Sequence, residues 1–273
     1  MKKEKKFPKI SLCILGLIIL ASVFAGLIAP YSVEEMNPEA VNLAPSAGHI
    51  FGTDSMGRDL FTMVLYGGRA SIYIGLFSAC ISTVVAVVYG TLSGLAGERI
   101  DDLLMRFSEL LMSIPSILLV IFLQAMWGRA SYTSLSVIIG LTGWMNISKI
   151  VRSEVRQIRN SDYVLAAKTM EGGFWYILRR HLLPNFVSSI MFMVVTNIGQ
   201  AMITESTLSF LGLGLPLTTV SWGSLLSMSE EVLLTNCWWM IIIPGLVLIT
   251  TLVCITEIGE YIRRRNNRLY SNL

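Results

Sequence analysis

Charged residues are scarce in this sequence. Of its 273 residues, 53% are hydrophobic and only 14% are charged, with 21 basic and 18 acidic side chains. An ordinary soluble domain carries about 25% charged residues, so these charges are too few to cover a soluble core of this size. They are also clustered, which leaves long uncharged stretches. The composition therefore excludes a soluble enzyme, a disordered protein and a coiled coil, and it predicts an integral membrane protein of several helices.

Residues for catalysis and metal binding are scarce as well. The only histidines, His49 and His181, lie outside the predicted spans, which excludes a Ser–His protease dyad within the membrane. The sequence contains no HExxH motif and no CxxC pair, so neither a zinc site nor a redox pair is indicated. No lysine follows a glycine, so the phosphate-binding loop of ATPases is absent. If ATP powers this protein, another subunit must bind the nucleotide.

Seven stretches between charged or histidine residues are long enough for the roughly 20 residues of a spanning helix. One of them, 206–229, places Gly212, Gly214 and Pro216 among serines and threonines, and it is predicted to form a turn with short surface helices. The other six predict spans near residues 10–29, 71–96, 105–127, 133–148, 186–207 and 238–257.

The basic residues orient these six spans. With an even number of spans both termini share a side, and all but Arg58, Arg69 and Arg129 of the basic residues fall on that side. The positive-inside rule makes this side cytoplasmic. The net charge of +3 arises from these anchors and indicates no nucleic-acid partner. The first apolar run is longer than the core of a secretory signal and ends without a cleavage site, so an anchor is predicted.

The longest inner loop, 149–185, reads KIVRSEVRQIRNSDYVLAAKTMEGGFWYILRRHLLPN. Ser161 is predicted to cap a helix. Small and apolar residues then form one stripe at helical spacing: Tyr163, Ala166, Ala167 and Met170. After a stop at Gly172 and Gly173, a second stripe follows: Phe174, Ile177, Leu178, His181 and Leu182. Pro184 ends this piece. The pattern fits either contact with another protein or an amphipathic helix on the headgroups.

This loop resembles the coupling loop of ABC-importer permeases, whose pattern is Glu-Ala-Ala, three residues, Gly, then nine residues to Ile-x-Leu-Pro. Two further blocks, FGTDSMGRDLFTMVLYGGRASIYIG at 51–75 and TLSFLGLGLPLTTVSWGSLLS at 207–227, resemble the C-type permease subunit of dipeptide, oligopeptide and nickel importers. A weaker match is GERIDDLLMRFSELLMSIPSILL at 97–119. Leu165 stands in place of the usual glutamate and Glu171 in place of the usual glycine, which shifts the glycine elbow by one residue.

The resemblance implies an all-α integral membrane protein with six transmembrane helices, a cytoplasmic coupling helix pair and the type I ABC-importer permease fold. It implies a permease subunit that is not an enzyme and binds no cofactor or metal, since ATP and Mg²⁺ would bind to partner ATPase subunits. The implied partners are a second permease in a heterodimer, two ATP-binding subunits and an extracellular solute-binding protein, all at the bacterial cytoplasmic membrane. The implied cargo is small peptides, with nickel or a metal chelate as the alternative.

The resemblance also implies which loop residues contact the ATPase subunit. They are Tyr163, Ala166, Ala167, Met170, Glu171, Gly172, Gly173, His181 and Pro184. The chain then divides into 1–70 (tail, first span and outer loop), 71–260 (permease domain) and 261–273 (basic tail).

Polar residues within the fifth span mark a candidate solute path. Asn197, Gln200 and Thr204 recur at helical spacing, and Glu205 follows at the predicted outer interface. We expect this stripe to face a partner permease and the path, and interhelical hydrogen bonds are the alternative. A lone secondary transporter and a membrane enzyme are further alternatives, but the chain shows neither internal symmetry nor an acid–base set.

Two charged regions complete the sequence predictions. In the third span's inner end, spacing predicts that Arg106 pairs with Asp102 and Glu109. In the outer loop HIFGTDSMGR, Gly52 and Gly57 are typical turn formers. One histidine and one aspartate there do not make a metal ligand set.

Overall fold

The computed structural model describes residues 7–128, 130–161, 164–165, 169, 173–216, 218–228 and 236–270. The described part is helical and contains no β-strand beyond one isolated bridge between Thr53 and Asp59. Its α-helices are α1 (Lys9–Val23), α2 (Ala25–Ile28), α3 (Leu60–Leu95), α4 (Glu98–Met112), α5 (Ser116–Trp127), α6 (Tyr132–Thr142), α7 (Met145–Ile158), α8 (Phe174–Ile177), α9 (Leu183–Phe210), α10 (Trp222–Met228) and α11 (Trp239–Tyr270). A 3₁₀ turn spans Pro38–Ala40, and a π-helical turn, Leu178–Leu182, joins α8 to α9.

Each predicted span coincides with helical structure, but the helix ends differ from the prediction. Within the described residues α3 and α11 are long and apolar enough to cross a membrane, and the number rises to four if the bent pairs α4–α5 and α6–α7 each count as one span. The predicted third span is broken by an 87° bend before α5, because Pro115 has no N–H to continue α4. The fourth bends by 47° at Gly143–Trp144.

The helix α3 is the centre of the bundle. It packs against α6, α7, α9 and α10. It begins at Leu60, earlier than predicted, because the Asp59 carboxylate accepts the Thr62 N–H at 2.8 Å and caps the helix. Glycines let α7 approach it closely, since a Cβ on Gly90 would lie 2.5 Å from the Ser148 carbonyl oxygen. The helices α3 and α11 are continuous across residues 70 and 260, so the predicted domain limits fall within helices.

The outer loop before α3 folds back on itself. Gly52 and Gly57 adopt φ of +78° and +74°, as their turn-forming character predicts. A Cβ on Gly57 would lie 1.9 Å from the Asn37 carbonyl oxygen, so the close approach requires glycine. The loop is held to α11 by the Trp239 indole, which donates to the Thr53 carbonyl at 3.1 Å.

The stretch 206–229 does not span the bundle. As predicted, a turn with Gly212 at φ +71° follows α9, and the short helix α10 comes next. The expectation of a surface helix is wrong, because Trp222 of α10 is completely buried. Its indole fills the space beside Gly67 and Gly68 of α3 and donates to the Val64 carbonyl at 2.9 Å.

Candidate functional site

The inner loop between α7 and α9 joins two halves of one buried cluster. Val164 from the loop is fully buried, together with Val155 of α7 and Ile177, Leu178 and Leu182 of the following helical turns. The second apolar stripe predicted from the sequence is thus confirmed at these three positions. The Ser161 hydroxyl donates back to the Ile158 carbonyl at 2.7 Å, and the predicted capping role cannot be followed because residues 162–163 lie outside the described residues. The described parts of the loop are therefore packed onto the bundle.

Most residues predicted to contact a partner ATPase lie outside the described residues: Tyr163, Ala166, Ala167, Met170, Glu171 and Gly172. Gly173 is exposed and immediately precedes α8. His181 lies in the π-helical turn and Pro184 in the first turn of α9, and the side chains of both lie outside the description.

An exposed surface on α8 and the π-helical turn was missed by sequence reasoning. Trp175 and Tyr176 are 58% and 55% exposed, and Arg179 and Arg180 are exposed beside them. Exposed Trp, Tyr and Arg are the residues that most often dominate protein interfaces. The sequence contains a signal for this surface, because Trp175, Tyr176, Arg179 and Arg180 fall between the positions of the buried stripe.

A buried carboxylate fastens this region to the bundle. Asp101 of α4 is completely buried, and Arg152 of α7 donates to it through Nε at 2.5 Å and through Nη2. Arg156 and the Ser93 hydroxyl at the end of α3 donate to the same carboxylate. The hydrogen bonds from Arg152 lower the pKa of Asp101 to about 2. One side chain therefore joins α3, α4 and α7.

This arrangement differs from the predicted pairing of Arg106 with Asp102 and Glu109. The carboxylate that pairs is Asp101, whose arginine partners come from α7 rather than from its own helix. Glu109 lies 3.6 Å from Lys149, also on α7. The spacing of charges along α4 does not predict these pairs. The helix buries the face that carries Asp101, and a buried charge needs a partner from a neighbouring element.

The polar stripe of the fifth span is divided between two faces of α9. Gln200 is exposed, and the Thr204 hydroxyl donates to the Gln200 carbonyl at 2.9 Å. Asn197 is partly buried and donates through Nδ2 to the Ser82 hydroxyl of α3. Gln200 therefore presents an amide outward from the middle of an apolar helix, whereas Asn197 contributes to helix packing.

Glu205 lies on the face of α9 that packs against the rest of the bundle. It is completely buried. The hydroxyls of Ser221 and Ser209 donate to Oε1 at 2.7 and 2.9 Å, and those of Ser71 and Ser206 donate to Oε2 at 3.3 and 3.4 Å. The carboxylate thus connects α3, α9 and the start of α10. The four hydrogen bonds compensate for the loss of water around its oxygens.

The outer loop carries one ion pair and one histidine–aspartate contact. Arg58 binds Asp54 through Nε at 2.7 Å, and both side chains are buried. His49 Nδ1 lies 3.0 Å from Asp59, and the ring of Tyr31 stacks on the His49 imidazole. Among the described residues no group of three or more His, Cys, Asp or Glu side chains is arranged to hold a metal ion.

Two family models match the chain. The model described as "binding-protein-dependent transport system inner membrane component" matches residues 86–268. The model described as "N-terminal TM domain of oligopeptide transport permease C" matches residues 3–45.

Named relatives cover nearly the whole chain. The dipeptide transport system permease protein DppC of Bacillus subtilis is 36% identical over 94% of this chain and 80% of its own length. The oligopeptide transport system permease protein OppC of the same organism is 35% identical over 91% of this chain and 81% of its own length. The inward-facing MetNI methionine ABC transporter is similar in fold, with a TM-score of 0.60 and 15% identity over 74% of this chain and 95% of that one.

Proposed function

Because the chain belongs to the family of binding-protein-dependent transport system inner membrane components, we propose that it is the permease subunit of an ATP-driven importer of small peptides. The two Bacillus subtilis relatives are named as dipeptide and oligopeptide permeases, which favours peptides over nickel as the cargo. In this proposal the chain crosses the cytoplasmic membrane with both termini inside. It works with a second permease, two ATPase subunits that bind ATP and Mg²⁺, and an extracellular solute-binding protein.

The observation that carries the coupling role is the single buried cluster on both sides of the inner loop. Val164 packs with α7, α8 and the start of α9, so a force applied to the loop reaches three helices together. The coupling residues proposed from the sequence, Tyr163 to Pro184, form this loop. The exposed Trp175 extends the proposed contact with an ATPase subunit onto α8.

The Asp101 junction supports transmission of that motion. Asp101 holds Arg152 and Arg156 of α7 against α4 and the end of α3. Arg159 adds bonds to the carbonyls of Gly94 and Ala96 at 3.1 and 3.4 Å. Closure of the ATPase subunits would then bias the whole bundle between its inward- and outward-facing states rather than bend one loop.

The solute path is proposed along the exposed face of α9. Gln200 and Thr204 present hydrogen-bonding groups there, and Asn197 borders them against Ser82. An exposed amide in the middle of an apolar helix is costly against lipid, which supports a location against water, solute or the partner permease. On the buried face of the same helix, the Glu205 carboxylate accepts hydrogen bonds from Ser209 and Ser221. These contacts fix the position of the exposed face.

Transport by the reconstituted complex tests the proposal. We expect ATP-dependent uptake of a labelled dipeptide into proteoliposomes that contain this chain, its partner permease and the ATPase subunits, and no uptake by the chain alone. Gly172→Trp should abolish uptake while ATP hydrolysis continues. Uptake by the lone chain along an ion gradient would contradict the proposal and would favour a secondary transporter.

Docking is tested separately with the exposed tryptophan. Trp175→Ala should weaken binding of the ATPase subunit by about tenfold, as expected for an interface tryptophan. Ile100→Ala, which changes an exposed apolar residue of α4, is the matched control. Equal ATPase binding by both variants would remove Trp175 from the proposed surface.

A further inference from the structure

A crevice between α1 and α3 contains a cation that forms no ion pair with any carboxylate in the described part of the chain. Its volume is ≈ 300 Å³, and it is lined by Ile19, Ser22, Val23, Arg69, Ile72 and Tyr73. Apart from the guanidinium of Arg69 and the Ser22 hydroxyl, the lining is apolar or aromatic. Val23 and Tyr73 are 57% and 42% exposed, so the crevice opens onto the outer surface of the bundle.

Arg69 is held in a fixed position beside the end of α1. Its Nε donates to the Ser22 carbonyl at 2.7 Å and its Nη2 donates to the Val23 carbonyl at 2.8 Å. The guanidinium also lies over the Tyr66 ring, 4.7 Å from its centroid. Gly68 makes this possible, since a Cβ there would lie 2.1 Å from the Ser22 hydroxyl oxygen and would push α1 away.

The remaining donors of Arg69 have no partner within the described chain. Nη1 makes no hydrogen bond to any described residue, and no described carboxylate forms an ion pair with this arginine. Arg58, the other described cation on the predicted outer side, is paired with Asp54. A guanidinium on a lipid-facing surface is costly, and the two backbone carbonyls satisfy only part of this one. An anion at the exposed edge of Arg69 would complete its hydrogen bonds and balance its charge.

The position of Arg69 indicates what that anion is. The apolar helix α1 has 15 residues and rises about 22 Å, and Arg69 lies at its far end. This places Arg69 in the outer part of a hydrocarbon layer about 30 Å thick, within snorkelling reach of the outer-leaflet phosphates. The crevice beside it offers apolar side chains to an acyl chain, while the guanidinium offers the planar donors that suit a phosphate.

We propose that this crevice binds an anionic phospholipid, with its phosphate on Arg69 and one acyl chain between α1 and α3. By the proposed topology the lipid belongs to the outer leaflet. Its bound phosphate completes the hydrogen bonds of Arg69 and joins the first helix to the central helix. The site lies on the outside of the bundle, apart from both the inner loop and the exposed face of α9.

Native mass spectrometry of the purified importer complex tests this proposal. Phosphatidylglycerol and phosphatidylcholine with identical acyl chains are added, and the lipid retained after delipidation is counted. The wild-type complex should retain phosphatidylglycerol preferentially, and Arg69→Gln should weaken that binding about tenfold, as expected for a lost charge-assisted contact. Equal retention of phosphatidylglycerol by both proteins would overturn the proposal.

A second pair of variants separates lipid binding from the capping of α1. Val23→Trp fills the mouth of the crevice and leaves Arg69 in place, so it should lower phosphatidylglycerol retention as well. Leu20→Trp is the control, because Leu20 is equally exposed at 58% on the same helix but does not line the crevice. Equal retention by these two variants would contradict a lipid in the crevice.

Two other occupants have distinct signatures, and either would overturn the proposal. Displacement of the retained species by inorganic phosphate would identify a free anion. A benzophenone side chain at Tyr73 should cross-link to lipid, and a cross-link to the second permease instead would identify the crevice as a subunit interface.

Discussion

At the scale of single residues, Asp101 joins three helices through one carboxylate. Its completely buried carboxylate is satisfied by Arg152, Arg156 and Ser93. The two arginines are only partly buried, with 25% and 35% of their side chains exposed. Removal of the carboxylate therefore leaves two cations in a restricted environment without their anion, which costs more than the loss of a surface pair.

We predict that Asp101→Asn lowers the free energy of unfolding by roughly 2–3 kcal/mol, the range for a lost charged hydrogen-bond network. Thermal unfolding of the purified complex in detergent measures the change. Glu98→Gln, on an exposed face of the same helix, is the control and should change stability little. A similar effect of both substitutions would show that Asp101 is not the anchor of this junction.

The pKa of Asp101 predicts how the free energy of unfolding changes at acidic pH. The folded-state pKa of about 2 lies below the ordinary value of 3.8, so the carboxylate stabilises the fold fully above pH 4. This contribution is lost as the pH falls towards 2. The difference in stability between the wild type and Asp101→Asn should therefore be constant from pH 7 to pH 5 and shrink below pH 4. A difference that is unchanged at pH 3 would contradict the assignment.

Sequence reasoning at this scale succeeded only for local patterns. The buried stripe at Ile177, Leu178 and Leu182 follows from helical spacing. The Asp101 pairs do not, because their partners lie 51 and 55 positions away. The serine contacts of Glu205 were missed for the same reason, since Ser71 and Ser221 are brought to it by helix packing.

At the scale of elements, α3 and α7 are in close backbone contact. A Cβ on Gly90 would lie 2.7 Å from the Val151 Cβ, and one on Gly94 would lie 2.7 Å from Val155 Cγ1. Both neighbours belong to the buried cluster beneath the inner loop. Small residues at such crossings allow backbone contact and replace the hydrophobic driving force that is missing between helices in lipid.

We predict that Gly90→Ala destabilises the protein by about 1–3 kcal/mol, because the added methyl group overpacks the α3–α7 contact. Gly16→Ala is the matched control, since Gly16 is also helical and a Cβ there meets nothing within 4 Å. The control should be neutral or stabilising by up to about 1 kcal/mol. Unfolding of the two variants in the same detergent distinguishes them, and equal stability would disprove the close contact.

The sequence predicts the elements better than their ends. Apolar runs locate helical structure at all six predicted spans, and Gly212 correctly marks the turn after α9. The 87° bend at Pro115 was not predicted, because an uncharged run does not reveal where a helix changes direction. The burial of α10 was also missed, since its environment depends on the glycines of α3 that receive Trp222.

At the scale of the whole molecule, the proposed orientation makes a direct prediction. In a background that lacks Cys13, Cys80, Cys237 and Cys254, Gly48→Cys should react with an impermeant maleimide added to intact cells. Gly173→Cys should react only after permeabilisation. A Cβ at either glycine meets no atom of the described residues within 4 Å, so both thiols should be accommodated. Labelling of position 173 from outside would reverse the topology and end the coupling proposal.

The length of the central helix has a consequence for the host bilayer. With 36 residues α3 rises about 54 Å, whereas α5, with 12 residues, rises only about 18 Å and exposes Leu118, Phe122 and Met126. A flat hydrocarbon layer about 30 Å thick matches neither length. The ends of α3 therefore extend beyond the hydrocarbon layer, and beside α5 either the lipid thins or α4 completes the span. Acyl-chain length is thus a variable to which transport by this protein should respond.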